Sequence, residues 1–168
     1  SIPQSTNAYM KHRYGGWIEE IPEITTSGYY SLQNIWQSEN NCYKINSPFS
    51  STEYFVLEYR DNDTKWGDTN LPGSGLVIYR INTLAERGNA AGPPDEVYVF
   101  RPYGTLTNDG DIRRAYFSQL SGQTSFNDTA NPQCFLSNGS PGFGDISIEN
   151  INVVNDKVTF DVIFSPNN

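Results

Sequence analysis

From residue 28 to the C-terminus the chain is a succession of short runs in which apolar and polar side chains alternate. The clearest is Glu53-Tyr54-Phe55-Val56-Leu57-Glu58-Tyr59-Arg60. A period of two sets Phe55, Leu57 and Tyr59 on one face and Tyr54, Val56, Glu58 and Arg60 on the other, as a pleated strand requires. The same pattern predicts strands over 28–35, 41–45 and 96–101, and over 76–81, which is apolar enough for the centre of a sheet. The chain closes on runs at 146–151 and 157–164, joined through Asn155-Asp156 as a hairpin. Turn-forming clusters separate the runs: Asp61 to Asp68, Pro72 to Gly75, Gly92-Pro93-Pro94 and Asn108 to Asp111. Residues 113–144 read as mostly loop, which is long for a compact domain. Helix is predicted only near the start, where Ser5-Thr6-Asn7 caps 8–13 and Gly15-Gly16 stops it. The expected fold is all-β: a two-sheet antiparallel β-sandwich of roughly seven to ten strands, jelly-roll or immunoglobulin-like, over 17–168. Residues 1–16 form a short N-terminal linker helix in this reading.

Composition sharpens this picture. The chain has 168 residues, enough to bury a core without staples. Its 11 Tyr and 9 Phe suit pleated, half-buried surfaces. The net charge of −8 argues against nucleic acid, because phosphate backbones are held by clustered Lys and Arg, and here only Arg113-Arg114 stand together. No apolar run reaches the roughly 18 residues of a membrane span. The only Met is Met10 and the chain begins Ser1-Ile2-Pro3, so the expectation is that a signal peptide or a larger region was removed upstream. Cys42 and Cys134 fit no metal-ligand spacing; a secreted setting favours a bridge between them, a reducing one leaves two buried thiols, and the sequence leaves both open.

Catalytic constellations are sought with little return. Zinc hydrolases and serine triads both need histidine, and His12 is the only one. It reads as a surface residue of the N-terminal helix. Paired carboxylates at Glu19-Glu20, at Asp61 and Asp63, and at Asp109 and Asp111 read as turn chemistry rather than glycoside hydrolysis, since Asp bonds its own turn backbone. Calcium is the second reading for the Asp61, Asp63 and Asp68 loop and for the Asp109 and Asp111 turn, although Lys65 and Pro72 break the EF-hand pattern. Glu58 and Arg60 share a strand face and are expected to anchor the Trp66 loop by an ion pair or hydrogen bond. Trp36 and Trp66 read as packing residues, with sugar stacking as the alternative.

Several strings together resemble the region that follows the catalytic domain of M6-type, immune-inhibitor-A-like bacterial metalloproteases. They are Glu53 to Arg60, then Trp66-Gly67-Asp68, then Leu71-Pro72-Gly73-Ser74-Gly75-Leu76-Val77-Ile78-Tyr79. In that family a strand ending in Glu-x-Arg leads to a loop with Trp and Asp, and then to Leu-Pro-Gly-x-Gly-Leu and an apolar strand. Glu58, Arg60, Trp66, Asp68, Pro72, Gly73 and Gly75 are the matching structural positions. Tyr9 to Ile18 resembles the family's exit from the protease domain, with an extra Gly before Trp17. The match departs at Arg80-Ile81-Asn82, where the family commonly has His-x-Asp. The resemblance implies a secreted bacterial accessory sandwich with no catalytic residue of its own. Zinc would belong to an upstream peptidase domain, and Met10, Tyr14 and Trp17 would form the seam with it. A carbohydrate- or surface-binding module of an exported protein is the alternative.

Overall fold

The computed structural model describes residues 21–33, 42–61, 73–85 and 95–165. The predicted N-terminal helix, with His12 and the seam residues Met10, Tyr14 and Trp17, lies outside the described residues, as does Trp36.

Among the described residues seven strands form two antiparallel sheets, and the chain is a β-sandwich. Strands β1 (Gly28–Gln33), β6 (Ile146–Val154) and β7 (Lys157–Phe164) make a three-stranded sheet in the order β1-β7-β6. Strands β2 (Cys42–Asn46), β3 (Glu53–Arg60), β4 (Gly75–Asn82) and β5 (Val97–Val99) follow one another as a four-stranded meander. Every one of these pairings is antiparallel. The alternation in β3 holds: Phe55, Leu57 and Tyr59 enter the core between the sheets, and Val56 enters a second cluster on the other face. β4 does the same with Leu76 and Ile78 on the inner side and Val77, Tyr79 and Ile81 on the outer. All eight residues of β4 are buried, which accounts for its nearly continuous apolar sequence. The closing hairpin turns at Asn155-Asp156, whose φ values of 50° and 64° are the left-handed pair a two-residue turn needs. A bulge between Glu149 and Asn152 bends β6, with Asn150 at φ 53°.

The long segment between β5 and β6 is irregular, as expected, but it is not a surface loop. Phe100, Phe117, Phe126, Phe135 and Phe143 from this stretch are buried and complete the inner core. Phe126 lies at the centre, with ring centroids 4.7 Å from Phe100, 5.2 Å from Phe143, 5.7 Å from Phe117 and 6.3 Å from Phe55. These pairs are T-shaped, the arrangement that sets a positive ring edge on a negative face. Backbone polarity is absorbed locally. Phe126 exchanges both backbone hydrogen bonds with Ile148, and Phe117 does so with Leu76. The Asp128 carboxylate accepts the amides of Gly142, Phe143 and Gly144 at 2.7–3.1 Å. The helical structure among the described residues is a 3-10 turn, Ile112–Arg114, capped by the Asp111 side chain.

Candidate ligand-binding cleft

Those of the residues carrying the sequence resemblance that are described belong to the framework. Glu58 and Arg60, two apart on β3, are fully buried and joined by an ion pair of 2.6 Å from Arg60 Nε to Glu58 Oε1. Tyr79 of the neighbouring strand donates its hydroxyl to the same oxygen at 2.7 Å. The Glu-x-Arg string is thus a charged staple between β3 and β4. Gly75 is required where β4 meets the core segment, because a Cβ there would stand 2.4 Å from the Phe117 carbonyl oxygen. A Cβ at Gly73 would strike the Tyr116 ring at 2.6 Å. Trp66, Asp68 and Pro72 lie outside the described residues, so the anchoring of the Trp66 loop is not among the described contacts.

The calcium candidates are placed as follows. Of the first loop only Asp61 is described; Asp63 and Asp68 lie outside. In the second turn the Asp111 side chain caps the 3-10 turn through the Arg113 amide, and Asp109 points its backbone oxygen, not its carboxylate, at Arg101 Nε. Among the described residues no three His, Cys, Asp or Glu side chains converge on one point.

The bridge left open by sequence does not form. Cys42 and Cys134 are free and buried. Cys134 packs in the core between the sheets, whereas Cys42 belongs to the cluster on the opposite face of the four-stranded sheet. A disulfide would have to pass through that sheet. Burial raises both thiols, Cys42 from 9.0 to about 12 with Glu58 adding to the effect, and Cys134 further upward with Asp128 adding. Burial likewise raises Tyr59 and Tyr98 from their ordinary 10.0. Each of these groups is held protonated by the fold and ionises more readily in the unfolded chain. Their contribution to stability is therefore complete below pH 9 and declines as pH rises from about 9 toward 12. Native protein at pH 8 should leave both thiols unalkylated by iodoacetamide over hours, with two adducts after denaturation. The midpoint of urea unfolding should fall steadily above pH 9.

Chemically open groups gather elsewhere, at the inner face of the β4–β5 edge. Arg80 of β4 and Tyr98 of β5 are cross-strand partners. Together with Arg101 they line a cleft of about 620 Å³ whose far wall is the stretch from Phe135 to Asn138. Arg80 is 3% exposed. Its Nη1 donates to the Phe135 carbonyl oxygen at 3.0 Å, and its Nε stands 3.5 Å from Glu53 Oε1 without a hydrogen bond. Glu53 in turn accepts the Ser137 amide at 2.9 Å, which ties the far wall to β3. Arg80 and Arg101 both sit against the same ring, with guanidinium carbons 4.7 and 4.3 Å from the Tyr98 centroid. Arg101 is fixed by two backbone oxygens, Asp109 at 2.6 Å and Val99 at 2.9 Å. Asp95 and Asp109 complete the charged lining, and Leu106, 57% exposed, gives it an apolar lip.

Two features distinguish this cleft from a solvated charge cluster. The Tyr98 hydroxyl is buried with no hydrogen-bond partner, a state that costs about 1–3 kcal/mol when nothing satisfies it. And although two arginines and two aspartates share the cleft, neither aspartate forms an ion pair with either arginine among the described residues. Burial lowers Arg80 from the ordinary guanidinium value, partly offset by Glu53. Sequence reading passed over this site; its one legible signal is an arginine inside the otherwise apolar run Leu76 to Ile81. Comparison with family models, with curated proteins and with solved structures yields no match.

Proposed function

We propose that this chain is a non-catalytic accessory β-sandwich of a secreted, M6-like bacterial zinc metallopeptidase, supporting the peptidase domain or its substrate cleft. The observation that carries this reading is the Glu58–Arg60–Tyr79 staple. The string most similar to the M6 region is a buried framework element, so what the two share is a scaffold rather than a reactive centre. The single histidine, His12, supports the same assignment, because zinc peptidases draw several ligands onto one ion. Zinc chemistry then belongs to the upstream domain.

The second reading, a carbohydrate- or surface-binding module, is favoured by the open polar groups of the Arg80–Tyr98–Arg101 cleft. The coding sequence upstream of Ser1 separates the two. The accessory reading predicts a His-Glu-x-x-His string within about 150–250 residues, one domain length. It also predicts that the purified chain leaves casein and gelatin intact. A frame without that string, or chelator-sensitive proteolysis by the chain itself, overturns it.

A further inference from the structure

We infer that the cleft between Arg80, Tyr98 and Arg101 is a binding site for a neutral, hydroxyl-rich ligand, a carbohydrate. The inference rests on the cleft alone and stands whether or not a peptidase domain precedes the chain.

The chemistry follows from what the groups can and cannot do. Guanidinium only donates hydrogen bonds and carboxylate only accepts them. Arg80 and Arg101 are held in place by carbonyl oxygens and by the Tyr98 ring, each through part of its fork. The Asp95 and Asp109 carboxylates make no hydrogen bond with a described residue. The two arginines are therefore fixed, Arg80 also by its ion pair with Glu53, and neither is spent on Asp95 or Asp109 among the described residues. A sugar hydroxyl both donates and accepts, so one vicinal pair answers an arginine and an aspartate together. The Tyr98 hydroxyl, nine-tenths buried and unpartnered, is a further group of this kind in the lining.

Charge decides against an anionic ligand. The two arginines are matched by two aspartates in the lining, and the chain as a whole carries −8. A carboxylate or phosphate entering the cleft would meet Asp95 and Asp109 as well as the arginines. A neutral ligand meets no such opposition. The exposed Leu106 lip supplies an apolar surface for the C–H face of a pyranose ring. The cleft volume of about 620 Å³ lies within the usual range of small-ligand sites, roughly 300–1,000 Å³.

The test is a chemical-shift titration of the isotope-labelled chain with lactose and with cello-, chito- and manno-oligosaccharides. Sialyllactose and a sulfated disaccharide form the anionic arm, and capped tetrapeptides form a third. At least one neutral oligosaccharide should shift the amides of Thr105 to Asp109 and of Ser137 and Asn138. Tyr98→Phe and Asp109→Asn should each weaken that binding about tenfold, the effect of losing one good hydrogen bond to a bound ligand. Both variants should fold, since neither side-chain oxygen has a hydrogen-bond partner among the described residues. Binding of only the anionic sugars, of only the peptides, or of nothing overturns the inference. So does neutral-sugar binding that both variants leave unchanged, because the sugar would then be held elsewhere.

Discussion

Replacing Arg60 with methionine is expected to destabilise the chain by about 3–5 kcal/mol, because it strands the Glu58 carboxylate in a site with no solvent. Arg60 and Glu58 are both fully buried. Their attraction offsets the cost of taking two charges out of water only while both are present. Removing one takes away the opposite charge that offsets the desolvation of the other, which the neutral Tyr79 hydroxyl donating to Glu58 does not replace. For a domain of this size the change should lower the melting temperature by roughly 10 °C or more. The diagnostic comparison is the double replacement Glu58→Leu with Arg60→Met. A buried ion pair exchanged whole for apolar side chains is often neutral or stabilising, so the double variant should recover much of the loss. Urea unfolding of the two single variants and the double variant measures the coupling directly. Equal losses that simply add would show that the two side chains act independently.

The second large effect is expected at Phe126. Its truncation to alanine should cost about 3–5 kcal/mol, the usual range for a fully buried phenylalanine. The ring touches four other phenylalanines, one from β3 and three from the irregular segment, so the cavity cannot be filled by moving one neighbour. Its T-shaped pairs add a directional component beyond area, about 0.5–1.5 kcal/mol each. Phe126→Leu should be milder, because most of the volume stays. The contrast that matters is with Leu120, in the same segment and 91% exposed. Leu120→Ala should change the urea midpoint hardly at all. A small effect at Phe126 would mean that the segment is draped over the sandwich rather than built into it.

That contrast explains which parts of the fold were legible in the sequence. Strands with one face in the core announce themselves by alternation, and β3 is read correctly to the residue, from Glu53 to Arg60. The closing hairpin is legible because Asn and Asp tolerate the left-handed turn. The segment from 113 to 144 carries no such signal. Its aromatics are buried one at a time by isolated bridges such as Phe126 to Ile148, so no period of two or 3.6 develops. Polar residues such as Gln123 are there to satisfy local carbonyls, those of Arg114 and Tyr116, and read in the sequence as solvent-facing loop. The state of Cys42 and Cys134, which the sequence left open, was illegible for a related reason. Spacing along the chain says nothing about which face of a sheet each thiol takes.

The cleft was hidden in the same way. Tyr98 and Arg101 look like ordinary members of a strand and its end, and only Arg80, a charge inside an apolar run, gives a signal. Register brings Arg80 opposite Tyr98, and Arg101, three residues further along the chain, sets its guanidinium against the same ring. The turn that starts at Arg101 then brings Gly104 against Tyr98, and a Cβ there would lie 2.7 Å from the Tyr98 hydroxyl oxygen. The Glu58–Arg60 pair was legible, since both residues sit on one strand face two positions apart. The Arg80 site needed the third dimension.

The division of labour between these two groups of residues is the central claim: the Glu58–Arg60 staple holds the sandwich, and the Arg80–Tyr98–Arg101 cleft is kept open for a ligand. The thermal melting of Tyr98→Phe in the absence of any sugar tests it most directly. Deleting a buried hydroxyl that has no partner removes a cost and no contact, while the ring that both arginines stack on remains. The melting temperature should be unchanged or higher than that of the parent chain. A fall of several degrees, approaching that of Arg60→Met, would show that the hydroxyl holds the fold together and would contradict the assignment of the cleft to binding.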